Sequence, residues 1–173
     1  MRIPLMVATG LFLAASGLAA QTAADATAEL SNAQGENVGT VQFHQTPRNG
    51  VLLDIQVSGL PAGVHAIHIH QTGTCEPPSF ESAGGHFAPE GHAHGVLHEE
   101  GAHAGDLLNL EVPESGELST QRLAPHATLE KGAENGLFDD DGSAMIIHMD
   151  ADDYVSQPSG AAGDRIACGI IQR

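Results

Sequence analysis

The sequence predicts an all-β fold, an eight-stranded Greek-key barrel or sandwich. Three observations carry this. Short stretches rich in Val, Ile, Leu and Thr alternate with Gly, Pro, Asn and Asp turn signals. No segment keeps helical periodicity over ten residues. Two connections, 73–106 and 150–165, are far longer than hairpin turns, as Greek-key returns require.

Thr27–Ser31 reads as the first strand, with a turn near Gly35, and Val38–His44 as the second. Asn49-Gly50 is a hairpin signal, because both residues tolerate positive φ. It leads into Val51–Ser58, where Val51, Leu53, Ile55 and Val57 share one face at strand period two. Pro61-Ala62-Gly63 turns the chain into a fourth strand, His65–Thr72. Leu107–Val112 and Glu117–Leu123 flank the Pro113–Gly116 turn, and Ala144–Met149 and Ile166–Gln172 complete eight. Asp139-Asp140-Asp141-Gly142 reads as a solvated turn, since it lacks the spaced oxygen donors of a calcium loop.

Residues 1–20 read as a secretory signal. Arg2 gives the charged start, Leu5 to Ala15 is apolar apart from Thr9 and Gly10, and small residues through Ala20 suit cleavage. The remainder, 21–173, is the right size for one domain. The removed segment carries one base and no acid, so the net charge of −16 becomes −17. Such a charge argues against nucleic acid or an anionic membrane as partner. Two cysteines, Cys75 and Cys168, are most simply one disulfide in an exported chain, with thiolate metal ligation as the weaker alternative.

Eight of the eleven histidines fall between His65 and His103, within the first long connection and the strand before it. Neutral imidazole is the commonest metal ligand. His68 and His70 sit two apart, as a strand requires for two side chains on one face. The rest lie in a Gly/Pro-rich loop that ends at Asp106. That pattern suggests constructed metal sites, two rather than one.

The motifs HAIHIH at 65–70, AGGHFAP at 83–89, HG at 94–95, HAGD at 103–106, MIIH at 145–148 and DRIACGII at 164–171 resemble the copper/zinc superoxide dismutases, most closely the exported bacterial branch. The resemblance spans the mature chain in the right order and implies the Greek-key barrel independently. It implies that His68, His70 and His148 ligate copper, that His86 bridges copper and zinc, and that His94, His103 and Asp106 complete the zinc site. It further implies dismutation of superoxide to oxygen and hydrogen peroxide, with Arg165 docking the anion. Asp152 resembles the carboxylate that joins a copper ligand to a zinc ligand, here His68 and His94, and Cys75–Cys168 matches the family disulfide. Exported bacterial relatives are monomers or dimers, so a monomer or homodimer is expected; the expected location is the periplasm if the source has two membranes, with the cell surface or secretion as the alternative.

His65 falls on the strand face opposite His68 and His70, which suits a structural hydrogen bond. His92 and His98 lie outside the matched spacing and read as exposed, His44 and His126 as ordinary surface or edge residues. The loop before Arg165 contains no lysine, although many relatives carry lysines near this channel, so steering of an anion is expected to be weak. A non-enzymatic copper or zinc carrier on the same barrel is the alternative reading. It is disfavoured because all seven ligand-type residues and the arginine are present. A zinc hydrolase needs an open zinc position, which four apparent donors deny.

Overall fold

The computed structural model describes residues 24–48 and 50–173. The signal reading for residues 1–20, and Asn49 of the hairpin turn, lie outside them. Nine strands are present: β1 (Ala26–Asn32), β2 (Asn37–Gln45), β3 (Val51–Val57), β4 (Gly63–His65), β5 (Ile67–His70), β6 (Leu110–Val112), β7 (Leu118–Ala124), β8 (Ala144–His148) and β9 (Arg165–Ile170). One 3₁₀ turn, Glu81–Ala83, is the sole helical element among the described residues.

Seven strands form an antiparallel sheet in the order β5-β8-β9-β1-β2-β3-β7, and β4 pairs with β6. The predicted fourth strand is thus two strands broken at Ala66. The break has a tertiary cause. Ala66 donates its N–H to Asp150 O, and its carbonyl accepts from His148 N–H, so the chain changes partner from β6 to β8 at that residue. The two pieces make one continuous path that joins the two-stranded sheet to the curled seven-stranded one. Arg122 spans the remaining gap, donating from its guanidinium to Leu108 O and Asn109 O.

The strands obey period two. In β3, Val51, Leu53, Ile55 and Val57 are buried and the residues between them are not. These side chains pack with Val41, Phe43, Leu110, Met145 and Ile147 into one aliphatic core. Each large side chain fully buried there contributes about 1.5–3 kcal/mol. In β5, Ile67 and Ile69 point into that core, so His68 and His70 must point outward. His68 pairs with Ile146 across the β5–β8 ladder, which places His148, two residues on, over the same outer face.

That outer face is covered rather than exposed. The first long connection runs along the free edge of β5: Ile69 donates to Gly105 O, Phe87 to Ile69 O, and Gln71 to Gly85 O. Gly105 has to be glycine here, because a Cβ at this position would collide with the Ile69 carbonyl. The Cys75–Cys168 disulfide ties the start of this connection to β9.

Candidate functional site

Seven histidine and aspartate side chains converge in two groups that share His86. His68, His70, His86 and His148 form one; His86, His94, His103 and Asp106 form the other. Within each group the candidate ligand atoms lie within 4.8 Å of one another.

In the first group, hydrogen bonds decide which ring nitrogen is free. Carboxylate and carbonyl oxygens only accept, so the ring nitrogen facing one carries the proton. His68 Nε2 faces Asp152 Oδ2 at 2.8 Å, which leaves Nδ1 free. His70 Nδ1 faces Gly84 O at 2.9 Å, and His148 Nδ1 faces Gly163 O at 3.3 Å, which leaves Nε2 of each free. These three nitrogens, together with His86 Nε2, are buried and have no hydrogen-bond partner. Four orphaned lone pairs at one point are costly unless a cation collects them.

The second group is organised by Asp106. Its Oδ1 lies 2.9 Å from His86 Nδ1, 3.0 Å from His94 Nδ1 and 3.3 Å from His103 Nδ1. His103 Nδ1 is 3.4 Å from His86 Nδ1. Metal–ligand bonds of about 2.0–2.1 Å give tetrahedral donor–donor edges of roughly 3.3–3.4 Å, so this cluster is close to the shape of a closed four-donor site. Oδ2 accepts the backbone N–H groups of Gly95 and His103, which fixes the carboxylate and reserves Oδ1 for the cluster.

Asp152 links the groups, its Oδ1 lying 3.0 Å from His94 Nε2 while Oδ2 holds His68. Arg165 stands at the start of β9 and donates to Phe80 O at 2.6 Å and Gly84 O at 2.7 Å. Gly84 O is also the acceptor for His70, so one carbonyl aligns both side chains.

A family model described as copper/zinc superoxide dismutase matches residues 37–171. The chain belongs to the copper/zinc superoxide dismutase family. It is 47% identical over 148 residues to "Superoxide dismutase [Cu-Zn] 2" of Aquifex aeolicus, covering 85% of this chain and 86% of that one. Among solved structures it resembles a SOD-like protein from Bacillus subtilis, with TM-score 0.81 and 41% identity over 83% of this chain and 96% of that one. It also resembles the Cu/Zn superoxide dismutase from Brucella abortus, with TM-score 0.68 and 28% identity, covering 84% and 99% of the two chains.

Of the residues named from this family's motifs, seven form the two groups, Asp152 bonds to His68 and His94, Arg165 meets His70 only through the shared Gly84 carbonyl, and Cys75–Cys168 lies apart from both groups. His65 stands apart: its two ring nitrogens lie 2.9 Å from the carbonyls of His148 and Pro61, a structural brace as expected. His92 is exposed beside Glu90, whereas His98 is half-exposed, and its Nδ1 accepts the Glu100 N–H. His44, read as an ordinary surface or edge residue, pairs with Asp54 across β2–β3. Sequence reasoning missed Asn109, Tyr154, Gln157 and Gly160, which carry the backbone around the site. Asn109 accepts from Asp152 N–H and donates to Asp152 O, both at 2.9 Å. Tyr154 Oη in turn accepts the Asn109 N–H.

In the metal-free family fold these imidazoles do not titrate alike. Burial, aided by neighbouring histidines, pushes His86 down to about 4 and His148 to about 3, and holds His70 well below its ordinary value. These groups bind protons more weakly folded than unfolded, so they cost the fold nothing above pH 6.5 and destabilise it progressively as pH falls through 4 and toward 3. His94 has the opposite sign. Burial lowers it, but Asp106 and Asp152 outweigh burial and raise it to about 9. Its contribution is complete below pH 6.5 and is lost as pH rises through 9. The denaturation midpoint of the metal-free protein is therefore expected to peak near neutral pH, with the steeper fall on the acid side. A flat profile between pH 7 and 4 in a urea titration series contradicts this.

Proposed function

We propose that this chain dismutes superoxide, using copper held by His68 Nδ1, His70 Nε2, His86 Nε2 and His148 Nε2. Zinc is held by His86 Nδ1, His94 Nδ1, His103 Nδ1 and Asp106 Oδ1. The observation that carries the reading is the set of four buried, partnerless ring nitrogens sharing His86 with a near-tetrahedral donor cluster. The chemistry fits: four imidazole nitrogens suit copper, and three imidazoles with one carboxylate suit a closed zinc site. When bound, copper supplies one-electron exchange with superoxide, and zinc fixes the ring of His86.

The balanced reaction consumes two superoxide anions and two protons and yields dioxygen and hydrogen peroxide. When it is not ligating copper, His86 Nε2 would be the nitrogen that holds a proton and gives it up to the reduced oxygen product. Asp152 keeps His68 and His94 in the tautomers that present Nδ1. Arg165 supplies the fixed positive charge that docks the anion. His70→Ala is expected to lower turnover by more than about 100-fold and abolish stoichiometric copper, with zinc retained near one per chain. Undiminished turnover in His70→Ala would overturn the copper assignment.

The surroundings of Arg165 are acidic. Asp164 precedes it, the Glu81 carboxylate acts on its guanidinium, and no lysine lies in the loop of residues 150–164. Steering by a lone arginine among carboxylates is weak and is screened over ~10 Å at 0.1 M salt. The rate is expected to change by less than about threefold between ~0.01 and ~0.2 M salt. A steep fall with salt in pulse radiolysis contradicts this, since it requires a net positive channel.

We also infer that residues 1–20 are removed on export and that 21–173 works in the periplasm as a monomer or homodimer. The disulfide supports an oxidising compartment. No helix among the described residues is long and apolar enough to cross a membrane.

A further inference from the structure

We propose that Gln157 is a positioning residue for His94, setting the angle at which its ring meets the four-donor site. The proposal rests on the reading of His94 as a metal ligand. His94 lies in a loop without a strand to orient it, and it is completely buried. Its backbone is instead paired with one side chain from the other long loop. Gln157 Oε1 accepts the His94 N–H at 2.9 Å, and Gln157 Nε2 donates to His94 O at 2.8 Å. The same Nε2 donates to Val155 O at 3.0 Å, so the amide is also anchored in its own loop.

A side-chain amide that satisfies both backbone groups of one residue imitates a strand partner. Asn109 does the same for Asp152, the residue that holds the His94 ring from its other end. His94 is therefore fixed at both ends: Gln157 sets its backbone and Asp152 sets its ring. Gly160 completes the arrangement. Its φ is +68°, and a Cβ there would strike Asp152 Oδ1 and come within 2.7 Å of His94 Nε2, so this turn seals the contact only as glycine. Because Gln157 lies in the loop that ends at Arg165, the same pair of hydrogen bonds latches that loop to the four-donor site.

The test compares three variants of the mature protein, loaded with copper and with zinc or cobalt(II). Gln157→Ala removes both hydrogen bonds to His94 and the one to Val155 O. Gln157→Glu keeps an acceptor for the His94 N–H but turns a carboxylate oxygen toward two carbonyls. Ser156→Ala is the control. It removes a hydrogen bond to Asp153 within the same loop without touching His94. Chelator competition is expected to show zinc affinity about 10-fold lower in both Gln157 variants and unchanged in Ser156→Ala. The visible bands of cobalt(II) in the zinc site are expected to change in the Gln157 variants alone. Parent-like affinity and spectra in both Gln157 variants would overturn the proposal, as would equal losses in the Ser156 control. His94→Ala separates the two claims: if zinc affinity survives it, the ligand reading fails and the positioning role fails with it. If one Gln157 variant does not fold by circular dichroism, the other decides.

Discussion

Asp106→Ala is expected to empty the four-donor site and to lower zinc affinity by well over 100-fold. One oxygen of this carboxylate is within 3.3 Å of three imidazole nitrogens, and the other takes two backbone N–H groups. Alanine leaves the Gly95 and His103 amides without acceptors, at about 1–3 kcal/mol each, before any metal is counted. It also removes the charge that, with Asp152, raises His94. Asp106→Asn is expected to fail nearly as badly. If its carbonyl takes Oδ1's place, its NH₂ faces two N–H donors. Zinc content after dialysis and the melting temperature of the metal-free variants measure the two losses separately. A variant that keeps one zinc per chain would contradict the assignment.

Cys75→Ser/Cys168→Ser is the second large effect. The bridge joins positions 93 residues apart, and chain-entropy models put such a loop at ~4–5 kcal/mol. For a domain of this size that corresponds to a melting temperature lower by roughly 8–20 °C. The loss is expected to reach activity too. The bridge anchors the segment that carries Phe80 and Gly84, the two carbonyls that hold Arg165, and Gly84 also holds His70. Turnover per bound copper is therefore expected to fall in the double variant as well as stability. Scanning calorimetry with copper-normalised turnover tests both; a large loss of stability with full activity per copper would show that Arg165 needs no tether.

Period two made the strand faces legible, and uneven histidine spacing marked the site. Ile67 and Ile69 inward forces His68 and His70 outward whatever the rest of the chain does. The break at Ala66 was not legible, because it arises from partners at His148 and Asp150, more than 80 residues away. The same limit hid Asn109 and Gln157. An amide that clamps a backbone carries no sequence period. Gly160 was equally silent, since the sequence does not distinguish it from Gly163 and only the position of Asp152 singles it out. Ligands are legible because chemistry restricts them to a few residue types; the groups that aim them are not, because backbone can be held by many.

The most direct test of the account is superoxide dismutation by the purified mature protein after copper and zinc reconstitution, with both metals quantified on the same sample. Fast, cyanide-sensitive turnover at about one copper and one zinc per chain is the predicted result. Both metals bound at full occupancy without turnover would contradict it and would leave a metal carrier built on the same barrel.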